Sequence, residues 1–171
     1  MIFNGPNELE ETKKRLYFLM GPSYFSRQPP ELTENEYFRL ECQRLYQDCY
    51  DKIQEDFGYI MGALAGAIGL FHFGEFSYIY KILDYYAELK NKLDDLRKNE
   101  PHNHTWKKIL GGLMTETRYA LRILPLPESM REKQLPKYCR PDSVEAVHQW
   151  LDEYEDQLEY DEQNFCYRLK K

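Results

Sequence analysis

The sequence predicts an all-α fold of about five helices, packed around a central glycine-rich αα-hairpin, and three observations carry that expectation. An uncharged apolar run spans 57–74 in an otherwise polar chain and must be hidden from water. Capping residues, prolines and glycines mark helix starts and stops along the sequence. No alternating apolar and polar stretch long enough for a strand competes with them. With 171 residues and 42% hydrophobic content, the chain suits one helical domain, 1–171.

Taken in order, Asn7 and Glu10 have capping-box spacing and Gly21-Pro22 supplies a stop. Residues 8–20 are therefore a short helix burying Leu9, Leu16 and Leu19 or Met20. Residues 21–32, with Pro22, Pro29 and Pro30, form a proline-rich linker. Thr33 and Glu36 make a stronger capping box, with Leu32 and Tyr37 placed as a hydrophobic staple, so a helix begins at Glu34. Nothing stops it before the apolar run, and it could continue through Ile53 with a kink near Gly58.

Gly74 is suited to a positive φ and Ser77 to a cap, which starts the next helix over 78–98 with Ile79, Ile82 or Leu83, Tyr86, Leu89 or Leu93 and Leu96 on its apolar stripe. Thr105 is the expected cap of a fourth helix running from Trp106 to about Ile123, loosened by Gly111-Gly112. Residues 124–141 read as loop. Pro141-Asp142-Ser143 opens an acidic final helix over 142–165, with Val147, Leu151, Tyr154 and Leu158 on one face.

Within the apolar run, Gly58, Gly62, Gly66 and Gly69 lie at helical spacings and are the expected helix-packing residues. Each costs about 0.5–1 kcal/mol against alanine, which close approach of a neighbour must offset. Ile60, Leu64, Ile68 and Phe71 form the opposite, bulky face. The pattern Ala67, Leu70, Gly74-Glu75-Phe76, Ile79, Leu83, Tyr86 resembles one unit of the tetratricopeptide helical-hairpin class. It departs from that class at Ala63 and Ile79, and no second copy follows at the class period. The resemblance implies a helical hairpin over 57–98, not a repeat array.

The same run is the one place where the chain could meet a membrane. Its length borders on a short span, Tyr59 and Tyr78 flank it, and its glycines have small-xxx-small spacing. Against this stand its glycine content, His72 and the interruption at Glu75. A buried helix is the preferred reading and a membrane span through 57–74 the alternative.

A net charge of −6 argues against nucleic-acid binding, which relies on clustered cations to displace counterions. It suits a protein partner, and a basic one in particular. The acidic final helix supplies the candidate contact residues Glu153, Asp156 and Glu159, which face away from its apolar stripe. Fifteen tyrosines exceed what a minimal core needs and favour surfaces that are apolar at one end and wet at the other.

Reaction chemistry finds little footing. Glu145 and His148 have the i, i+3 spacing of half a carboxylate-bridged di-metal motif, without a second copy, and His102 and His104 have no third ligand. There is no nucleophile elbow, phosphate-binding loop or dinucleotide fingerprint. Cys42, Cys49, Cys139 and Cys166 are too sparse for a disulfide scaffold and are expected as reduced thiols. The N-terminus lacks the pattern of a secretion signal.

The sequence therefore points to a non-catalytic helical interaction protein, an accessory or adaptor subunit of a larger assembly, with no cofactor, no metal and a cytoplasmic, intracellular setting. Two alternatives are a single-pass membrane accessory subunit of an organellar or bacterial complex, for example in the mitochondrial inner membrane, and an acidic immunity protein that inhibits a cationic toxin.

Overall fold

The computed structural model describes residues 5–21, 28–131 and 143–171. Among them are six helices: α1 (Gly5–Met20), α2 (Glu34–Tyr50), α3 (Ile60–His72), α4 (Tyr78–Asn99), α5 (His104–Ala120) and α6 (Val144–Tyr154). A small antiparallel hairpin of β1 (Leu158–Asp161) and β2 (Cys166–Leu169) ends the chain. The fold is thus predominantly helical, not all-α.

The buried centre is α3, whose residues are all buried except Met61. It folds back along α2 in the most extensive helix pairing of the molecule, while α1, α4 and α5 cover its other flanks. The long helix expected from Glu34 into the apolar run does not form. Thr33 caps α2 with the full reciprocal box, but the helix ends at Tyr50. Asp56 then turns extended, and its carboxylate accepts the Gly58 N–H at 2.8 Å, opening a 3₁₀ turn over Phe57–Tyr59 that redirects the chain. Two helices back to back bury both faces of α3, which one continuous rod could not do.

This fold-back decides what the glycines meet. A Cβ on Gly66 would lie 2.6 Å from the Cys42 carbonyl oxygen and 2.7 Å from the Tyr46 nitrogen. Gly62 faces the Cys49 sulfur and Gly69 the Cys42 sulfur. The glycine face thus receives α2. The expected glycine-rich helical hairpin over 57–98 is corrected accordingly, since α4 covers a different flank and the hairpin this chain carries is the C-terminal β-hairpin. Gly58 lies outside α3, exposed in the 3₁₀ turn, with Asp56 as its neighbour.

The membrane reading is also corrected. No helix among the described residues is long and apolar enough to cross a membrane. The 3₁₀ turn and the Phe73 cap trim the apolar run to the 13 residues of α3, and the other helices bury them.

α3 ends in a Schellman turn: Gly74, at φ +87°, donates to the Phe71 carbonyl and Glu75 to that of Leu70. Ser77 makes no side-chain cap on α4. Asn103, and not Thr105, caps α5, accepting from the Trp106 N–H at 3.3 Å. Ser143 caps α6 through the Ala146 N–H.

The acidic helix expected over 142–165 stops at Tyr154, and a 3₁₀ turn over Glu155–Gln157 leads into β1. Leu158 pairs with Leu169 and Tyr160 with Tyr167. Asp161 holds the reversal by accepting the Gln163 and Asn164 N–H groups, and its carboxylate takes Arg168 at 2.9 Å. Residues 22–27 of the expected linker, residues 132–141 of the expected loop, with Cys139, and Asp142 lie outside the described residues.

Candidate functional site

The three acidic positions Glu153, Asp156 and Glu159 are all exposed but fall on three different elements: the last turn of α6, the 3₁₀ turn and β1. They do not share a helical face. The hairpin also returns the chain's own cations to them, setting Arg168 opposite Glu159 and bringing the Lys170 ammonium 2.7 Å from the Asp156 carbonyl. The expectation of a basic partner is corrected on this ground, because the charge run has internal cationic neighbours and no continuous acidic stripe.

The other sequence candidates are spoken for by local contacts. Glu145 holds Lys90 at 2.6 Å and accepts from Ser143, and the Lys90 ammonium above all pulls its carboxyl down to about 2. His148, one turn on, is exposed beside Asp152 at 3.7 Å. Cys42, Cys49 and Cys166 are buried, and burial pushes the Cys42 thiol well up. Among the described residues no three His, Cys, Asp or Glu side chains converge as a metal site.

His72 is fully buried at the end of α3. Thr12 Oγ1 lies 3.4 Å from either ring nitrogen, and the backbone of Ala120 hydrogen-bonds the ring. Burial first, and the Arg122 guanidinium second, push its pKa down to about 3, so the ring is neutral at physiological pH. It joins α1, α3 and the C-terminal end of α5.

The surface that stands apart is the outer side of α5. Trp106 and Ile109 are 41% and 39% exposed, and Gly112 follows at the next i, i+3 step. Trp106 lines a groove of about 240 Å³ together with Phe57, Leu96, Asp56, Lys92 and Glu100. Tyr59, two residues beyond Phe57, is 39% exposed as well. Nothing lies within 4 Å of a Cβ built on Gly111 or Gly112. On α3 the cost of glycine in a helix is offset by α2, whereas on α5 no described residue offsets it.

Sequence reasoning noted Gly111-Gly112 only as a weak spot in a helix. Periodicity could have ranked the position higher, since the buried stripe of Leu110, Leu113 and Thr117 leaves Ile109 and Gly112 off the core. The chain matches no family model, no curated protein and no solved structure.

Proposed function

We propose that this protein is a non-catalytic interaction module, an accessory or adaptor subunit that receives a helix of a partner protein on the outer face of α5. One observation carries the reading: Gly112 stays open to solvent one turn beyond exposed Ile109, with exposed Trp106 a further turn back, while the glycines of α3 are filled from within the chain. Glycine lets a second backbone come close, and an exposed tryptophan beside a groove is the kind of anchor that dominates binding energy at interfaces. The groove beside Trp106 gives the partner a place to insert one large apolar side chain.

The test is affinity capture by the full chain, compared with Gly112→Leu and Ile109→Glu. Both positions are exposed, so neither variant should melt below the parent by more than a fraction of a kcal/mol, and Gly112→Leu should melt slightly above it, while both lose a partner that the parent retains. An identical set of captured proteins for parent and variants would remove α5 as the interaction surface.

A further inference from the structure

On α3 the chain shows what glycines spaced by four residues do: Gly62 and Gly66 receive α2 so closely that a Cβ on Gly66 would lie 2.6 Å from a backbone oxygen. On α5 the corresponding surface is open. Gly112 is exposed, with nothing within 4 Å of a Cβ built on it, and Lys108 and Glu116 stand four residues to either side. Residues four apart form one of the ridges along which helices pack, so Lys108, Gly112 and Glu116 make a single row with a gap at its centre.

The two charges that flank the gap are poised differently. Lys108 is exposed and has no ion-pair partner among the described residues. Glu116 is partly exposed and fixed in place, with its carboxylate oxygens 3.1 and 3.3 Å from one nitrogen of Arg15. A carboxylate can accept from several donors at once, so Glu116 retains capacity for a second cation.

A row of cation, gap and anion complements itself when reversed. Laid in the opposite sense on the same row of a second copy, Gly112 meets Gly112 at a two-fold axis, and Lys108 of each copy meets Glu116 of the other. A two-fold interface requires this self-complementarity, because one patch serves both sides. In the parallel sense Lys108 would meet Lys108. Net charge points to the same face. Two chains of charge −6 repel each other, and the repulsion is least at α5, which carries Lys107, Lys108 and Arg118 against Glu116 alone.

We infer that the helix received on α5 is α5 of a second copy, in an antiparallel two-fold pair centred on Gly112 and held by two Lys108–Glu116 contacts. The inference rests on the reading of α5 as a helix-receiving face and names its occupant. One helix laid on another is a small interface, so the dissociation constant should be on the order of 100 µM and the chain monomeric in dilute melts.

The experiment is sedimentation equilibrium of the full chain from low to high micromolar concentration, at low and at physiological ionic strength. The parent should show a reversible monomer–dimer equilibrium. Lys108→Glu should raise the dissociation constant about tenfold, because it sets like charges together twice per dimer, and the effect should shrink with salt. Lys171→Glu makes the same charge change at the exposed end of the chain and should leave the constant unchanged. An equimolar mixture of Lys108→Glu and Glu116→Lys chains should pair more tightly than either chain alone, since both contacts are then restored. Lys108→Glu alters an exposed residue and carries the test even if Glu116→Lys, which also loses Arg15, fails to fold. A parent that stays monomeric would overturn the inference, as would equal weakening by Lys108→Glu and Lys171→Glu or a dimer that neither affects. A monomeric parent whose captured partner is still lost in Ile109→Glu would leave α5 as a docking face and remove only the second copy as its occupant.

Discussion

The hydroxyl of Tyr160 donates to the carbonyl oxygen of His72 at 2.6 Å, across 88 positions of sequence. His72 is the last residue of α3, and its carbonyl is one that a helix cannot satisfy internally. Tyr167 repeats the arrangement one residue earlier, donating to the Phe71 carbonyl at 3.2 Å while its ring stacks on Phe71 with centroids 5.0 Å apart. The C-terminal hairpin therefore serves as the cap of the central helix.

Tyr160→Phe should keep the ring packing and lose the hydrogen bond, lowering stability by about 1 kcal/mol. Urea unfolding should show an earlier midpoint at an unchanged slope. An unmoved midpoint would mean that water replaces the hydroxyl at no cost.

Two glycine-to-alanine changes should act in opposite directions. Gly66→Ala forces a methyl against the α2 backbone and should destabilise by about 1–3 kcal/mol. Gly112→Ala adds a methyl in open space within a helix and should stabilise by about 0.5–1 kcal/mol. Thermal melts of the two variants check this, and shifts of the same sign would contradict the packing described for α3 and α5.

His72 makes folding sensitive to acid. The unfolded chain takes up a proton near pH 6.5, which the folded chain refuses until about 3, because burial penalises the charged ring. The unfolded state thus binds more protons in that window. Stability is full above pH 6.5 and declines as the pH falls toward 3, by up to about 1.4 kcal/mol per unit. In His72→Gln the decline over this window should be shallower, measured by urea unfolding at stepped pH. Parallel curves for parent and variant would show that the ring protonates freely in the folded protein.

Thr33→Ala should cost about 1 kcal/mol, since the threonine oxygen accepts the Glu36 N–H and the Glu36 carboxylate returns to the Thr33 N–H at 2.8 Å. Ser77→Ala, at the start of α4, should stay within about 0.5 kcal/mol because that side chain caps nothing. Equal losses at the two sites, read from thermal melts, would remove the distinction.

What the sequence determined by itself was local. Thr33 and Glu36 announce α2 because both partners of the box lie within one turn, and Gly74 announces the end of α3 because a positive φ is a property of one residue. The stripe of Ile79, Leu83, Leu93 and Leu96 on α4 likewise follows from helical periodicity alone, although Tyr86, expected on it, is only half-buried and Tyr85 is buried instead.

What tertiary structure decided was which surface meets which. The break at Asp56 follows from one carboxylate turning back to one N–H, and it sends the glycine face to α2. The acidic stretch after Tyr154 has helical composition, yet it pairs as strands, with the hydroxyls of Tyr160 and Tyr167 reaching the last carbonyls of α3. On α5, a Gly-Gly pair reads in sequence as a flaw, and only the empty space around it distinguishes it from the filled glycines of α3. Contacts between residues distant in the chain depend on where whole helices come to rest, and no window of sequence contains that information.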